Sequence, residues 1–161
     1  MTSVPRSTAA ATTDRVLVAL GGCGLLLLVA GTFLPWLRSG SVLRNSYQTV
    51  RIARRLSALG DGVQGVLTAA WPAVGVVAAL GAALYVLGAR RIAAVAIALL
   101  AVFAGTVAML AMVLLPASES TVRVIPAGPV VTLGGAILAL VGALTLLAWR
   151  RTEVERTQEE W

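Results

Sequence analysis

The chain has 161 residues, of which 58% are hydrophobic and only 12% charged, and its mean hydropathy is +0.90. A soluble domain carries about 25% charged residues, so the composition argues against a water-soluble globule and for one membrane-embedded domain. The net charge is +6 and all 13 basic residues are arginine; they flank apolar runs and lack aromatic stacking platforms around them, which argues against a nucleic-acid partner and leaves topology or lipid headgroups as their role.

Residues 1–15 are polar and rich in Ser, Thr and Ala, and read as a flexible cytoplasmic N-terminus. The first predicted span is 16–34, VLVALGGCGLLLLVAGTFL, which carries no charge. Its length and the PWLR that follows favour an uncleaved start-transfer helix over a cleaved signal peptide. Cys23 lies inside this run with no intrachain partner, so it reads as a packing residue. Pro35 stops the helix, and Trp36 is expected as an anchor at headgroup level.

The longest connection, 37–62, is predicted as an outer loop holding an amphipathic helix. On a helical wheel over 42–59, Arg44, Gln48, Arg51 and Arg55 form one stripe, with Val50, Ile52, Ala53 and Leu56 around the other faces. With Arg38 and Arg54, these arginines are the candidate site for an anionic lipid or an acidic partner, because a guanidinium fork matches phosphate. The plainer alternative, and the preferred one, is that they snorkel to ordinary headgroups and position the loop.

The second span is predicted at 70–87, with Trp71 as an anchor and Pro72 in the first turn. A tight turn through Gly88–Arg91 leads to the third span, 92–115, which Pro116 ends. The second outer loop is 117–128; its TVRVI alternates and would allow a strand paired with the first loop, but an ordinary connector is preferred. Pro129 opens the fourth span, 130–149, with Trp149 as the last anchor and 150–161 as a cytoplasmic tail. The predicted fold is therefore all-α: a four-helix transmembrane bundle.

Small residues recur every four positions in three spans: Gly75, Ala79 and Ala83; Ala101 and Gly105 beside Ala104 and Ala108; and Gly135, Ala139 and Ala143. That spacing lets helix backbones approach closely, and packing within the bundle is the expected use. No ionisable residue lies in the middle of any predicted span, and the chain has no histidine. The seven acids, Asp14, Asp61, Glu119 and four in the tail, form no paired-carboxylate site. No catalytic, cofactor-binding or metal site is expected. The function predicted is a noncatalytic accessory or scaffold subunit of a larger assembly, in a setting such as envelope biogenesis or respiration. Its expected partners are membrane lipids and a membrane protein or a second copy. The alternative is a lipid-handling or transport component that uses the first-loop arginines.

Four spans, a long first outer loop opening on Trp36 and a shorter second loop resemble the topology of claudin-type proteins, although the claudin Trp–Gly-Leu-Trp motif and loop cysteine pair are missing. FLPWLRSG, residues 33–40, resembles the end of the first span in small actinobacterial four-span membrane proteins, where Pro-Trp marks the outer end of the helix. The all-Arg, Ala- and Gly-rich composition points the same way. The resemblance implies a plasma-membrane protein and no activity.

Seven arginines fall on the side of the termini and six on the other, but Arg15, Arg90, Arg91, Arg150 and Arg151 directly abut spans. Charges at span ends weigh most in topology, so both termini are predicted to be cytoplasmic. In a Cys23→Ser background, Ser41→Cys and Ser118→Cys should label from outside the cell, and Thr2→Cys and Thr157→Cys should not. The reverse pattern would invert the topology.

Overall fold

The computed structural model describes residues 8–55, 65, 69–114 and 122–158. Most of these are helical. Helix α1 (Thr8–Phe33) leads into a hairpin of β1 (Pro35–Ser39) and β2 (Val42–Asn45), and then into the short α2 (Ser46–Arg55). A 3₁₀ turn (Trp71–Ala73) opens α3 (Val74–Val86), followed by α4 (Arg90–Leu114), β3 (Val122–Val124) and α5 (Ala127–Gln158).

Two helices are long and apolar enough to cross a membrane: Arg90–Val113 and Ala127–Ala148. At 1.5 Å per residue the first would extend about 36 Å, more than a hydrocarbon core of about 30 Å. Only 33% of each apolar window is buried inside the fold. Val18–Phe33 and Trp71–Val86 are shorter apolar helices. The last helix passes the expected boundary at Trp149 and runs to Gln158, since TEVERTQ is rich in good helix formers.

The helices lie side by side in the order α1, α5, α4, α3. Helices α1 and α5 are antiparallel and nearly in backbone contact. Gly21 faces Gly142, Gly24 faces Leu138 and Ala139, Leu28 faces Gly135, and Gly31 faces Thr132. On both helices the contact positions advance by three, four and three residues, the stripe one helix shows another. A Cβ on Gly135 would sit 2.8 Å from the Gly24 carbonyl oxygen, and one on Gly31 would sit 2.6 Å from the Thr132 nitrogen. Gly105 brings α4 against α5: a Cβ added there would lie 3.4 Å from the Ala136 Cβ.

The interior is correspondingly fine-grained, with Ala93, Ala94, Ala101, Ala104, Ala108, Ala136, Ala139 and Ala143 all buried. Larger apolar side chains point out, among them Leu26, Val76, Leu80, Leu99, Val102, Met109, Ile137 and Leu144. On α3 the inward face is Val74, Ala78 and Gly81. The seam expected at Gly75, Ala79 and Ala83 is not the packed one: Ala79 and Ala83 are exposed, and nothing lies within 4 Å of a Cβ placed on Gly75. Helix α3 packs mainly on α4, with a smaller contact to α1, and the residues it buries there are Val74, Ala78 and Gly81.

Helix α3 ends in a Schellman turn. The Ala89 N–H donates to Leu84 and the Gly88 N–H to Tyr85, with Gly88 at φ +87. The Arg90 guanidinium then sits 5.7 Å from the Tyr85 ring centroid.

At the ends of the helices opposite the Gly88 turn the chain builds a three-stranded antiparallel sheet in the order β2-β1-β3. Gly40, at φ +60, and Ser41 form the two-residue loop of the hairpin, a position where a left-handed glycine matches strand twist. Leu37 pairs with Val124, Arg38 with Arg123 and Ser39 with Val122, and the Ile125 N–H donates to the Trp36 carbonyl at 2.9 Å. The segment preferred as an ordinary connector is thus a strand, and the fold is mostly α with a small β cap. The parts of the expected outer loops at 56–62 and 117–121 lie outside the described residues.

Two adjacent glycines separate packing from propensity. Gly135→Ala should destabilise the protein by about 1–3 kcal/mol, because its methyl group meets backbone that cannot yield cheaply. Gly134→Ala, with nothing within 4 Å of its Cβ position, should stabilise it by roughly 0.5–1 kcal/mol. Thermal unfolding in detergent reads both; equal midpoints would mean that α1 and α5 do not touch there.

Candidate functional site

The chemistry of the molecule gathers where α1 ends and the cap begins. The last four carbonyls of any helix lack partners within it. Two of those in α1 are met by side chains from the cap. The Trp36 indole N–H donates to the Gly31 carbonyl at 2.9 Å, and the Ser46 hydroxyl donates to the Thr32 carbonyl at 2.5 Å. Ser46 in turn accepts from the Trp71 indole N–H at 3.0 Å, which fixes the start of α3. The Thr32 hydroxyl bonds back to Val29 at 2.7 Å and lies 3.3 Å from the Tyr47 hydroxyl.

Around this polar chain runs an aromatic one. The Trp36 and Trp71 rings meet edge to face at 5.4 Å, Trp71 and Phe103 lie at 6.0 Å, and Phe33 and Tyr47 at 5.3 Å. Trp36 is 5% exposed and Trp71 only 1%. Both were expected as headgroup-level anchors; both are interior residues whose indole N–H groups bond within the chain. Proline cannot donate to a ladder, and the register shift between Pro35 and Leu37 leaves Trp36 between them. Its ring fills the space above Gly128, where any side chain would strike it. The side chains of Trp149, Arg54, Arg55 and Arg123 lie outside the described set.

The expected arginine stripe is divided. Arg44 belongs to β2, paired with Leu37, and not to the helix. Helix α2 starts only at Ser46, because the Asn45 side chain accepts from the Gln48 N–H at 3.0 Å and caps it. Arg51 is exposed on that helix, and Tyr47 and Val50 turn toward the core. Arg38 is exposed on β1 and donates to the Gly40 carbonyl at 3.1 Å.

Arg44 instead borders an open recess of about 230 Å³. Phe33, Pro35 and Leu43 supply its apolar wall, and Arg44, Asn45 and Gln48 supply its polar rim. Arg44 is half-buried and has no ion-pair or hydrogen-bond partner among the described residues. A fixed cation beside an apolar wall can hold an anion that carries a hydrocarbon part. No group of metal-ligating side chains occurs among the described residues, and Cys23 is exposed on α1.

Three of these features escaped the sequence reading: Ser46 as a shared hydrogen-bond centre, the hairpin, and the glycines of α1. Gly-Ser between two short strand-like runs is a hairpin signal, and Gly21, Gly24 and Gly31 carry the heptad-like spacing in plain view. The role of Ser46 leaves no local signature, since its partners are 14 and 25 residues away.

No family model, no curated protein and no solved structure matches the chain.

Ser46→Ala should cost about 1–3 kcal/mol, because it strands both the Trp71 N–H and the Thr32 carbonyl. Trp71→Phe should make the serine substitution less costly, and the coupling is measurable in a double-mutant cycle by thermal unfolding. Additive losses would mean that the two side chains act independently.

Proposed function

We propose that the chain is a four-span protein of the plasma membrane, with both termini cytoplasmic and the β cap outside, serving as a noncatalytic accessory or scaffold subunit of a larger membrane assembly. The bilayer reading is supported by the inverted distribution of side-chain size. Alanine and glycine fill the interior while Leu, Val, Ile and Met cover the helix exteriors. In water an apolar exterior on this scale would aggregate; in lipid it is the ordinary surface. Helices α1 and α3 reach across with the residues that flank their shorter apolar cores. The claudin-type resemblance contributes topology alone.

The scaffold reading rests on α3. Its Gly75, Ala79 and Ala83 stay outside the packing with its main helical neighbour, α4, and leave a small-residue face on which a partner backbone can lie close. Among the described residues nothing lies within 4 Å of a Cβ on Gly75, and Ala79 and Ala83 are exposed. Ala79→Leu should therefore leave the thermal midpoint unchanged while removing a stoichiometric protein partner from material purified out of native membranes in mild detergent. If no protein accompanies the unaltered chain, or if Ala79→Leu retains it in full, α3 is not a docking face and the scaffold role fails.

A further inference from the structure

The recess beside Arg44 opens onto a path that the cap does not close. Phe33, in its wall, is the first of a row of exposed residues down α1: Phe33, Ala30, Leu26, Cys23 and Ala19. The row steps by three and four residues, so it is one continuous face. Three of its five members are small, so the face is a shallow, interrupted furrow, low at Ala30, Cys23 and Ala19 and raised at Leu26, which is 72% exposed. At its head stand the Arg44 guanidinium, which has no partner among the described residues, and the Gln48 side chain.

We infer that this recess and furrow form a binding site for one anionic phospholipid, with the phosphate held by Arg44 and Gln48 and an acyl chain laid along α1 from Phe33 to Ala19. The inference rests on the bilayer reading above and adds an occupant to it. Two independent observations converge on the same ligand. The polar rim carries fixed positive charge and hydrogen-bond donors at one end of an apolar helix, where a headgroup phosphate lies. The furrow below it is apolar and as long as the helix face. Free phosphate would satisfy the rim and leave the furrow unused. The site replaces the three-arginine helix face expected from the sequence: Arg44 acts from a strand, and Arg51 stands on the outer side of α2.

The test is native mass spectrometry of the full chain in phosphatidylcholine nanodiscs doped with phosphatidylglycerol. The readout is the ratio of the two lipids that stay bound as the protein is released. Arg44→Gln should reduce the phosphatidylglycerol enrichment about tenfold, the scale of one charge-assisted hydrogen-bonded contact. Arg51→Gln, with the same change of charge outside the recess, should change it less than about twofold. Ala30→Phe should block the furrow and lower retention without altering charge. Equal losses from Arg44→Gln and Arg51→Gln, or full retention in Arg44→Gln, would overturn the site and indicate general attraction to basic residues. The bilayer reading is checked separately: release of the chain from native membranes by alkaline carbonate would sink both. A chain that resists carbonate yet shows no enrichment sinks only the lipid site.

Discussion

An apolar helix that ends away from water must still satisfy its last carbonyls. In α1 that requirement organises the end of the molecule opposite the Gly88 turn. The Gly31 carbonyl takes the Trp36 indole, so the chain must fold back at Pro35 instead of continuing outward. The Thr32 carbonyl takes Ser46, so the hairpin must be short enough to return the serine to the helix end. Ser46 can be shared with Trp71 because a hydroxyl donates once and still accepts. One helix terminus thereby fixes the sheet, the start of α2 and the start of α3. Among the described residues every buried side-chain nitrogen and oxygen has a hydrogen-bond partner. In the proposed bilayer setting, where no water replaces a missing partner, such closure matters more than it would in solution.

The second constraint is distance. Small side chains give up contact area and allow backbones to approach, so dispersion and weak backbone contacts replace the interlocking of large residues. The α1–α5 seam takes this furthest, with glycine or alanine at most of its contact positions. Trp36 depends on it: its ring lies over Gly128 in the first turn of α5, and Gly31, whose carbonyl it caps, is the residue that faces Thr132. The seam and the capped terminus are two views of the same contact.

Much of the helical frame was legible because its signals are long. Uncharged runs of about twenty residues bounded by proline and arginine survive any error of one or two positions; α3 and α4 keep close to those bounds, while α1 starts at Thr8 and α5 runs on to Gln158, through polar segments that are also helical. The α4 and α5 seams were read from four-residue repeats. The α3 seam was placed on the wrong face because the repeat says which residues align and not which way they point. Arg44 was assigned to a helix because Arg44, Gln48, Arg51 and Arg55 fit a helical period; the Gly40–Ser41 turn and the Asn45 cap override that period locally. TVRVI became a strand because β1 offered it a free edge, a fact about another part of the chain. Trp36 and Trp71 were read by residue type as surface anchors, whereas their burial depends on Gly31, Gly128 and Ser46.

The α1–α5 seam joins the first and last helices of the chain, and this bears on how the protein is made. In the proposed bilayer setting the α3–α4 pair, linked by the three residues Leu87, Gly88 and Ala89, can leave a translocation channel as a finished hairpin. Helix α1 cannot do likewise. Its glycine face finds its counterparts only between Thr132 and Gly142 of α5, and the carbonyls at its end wait for a cap whose third strand arrives only at Val122. In the proposed bilayer setting α1 thus spends most of its biosynthesis without α5, its glycine face open to any other helix nearby. Closure against α5 ends that interval, so the last helix acts as the quality check on the first.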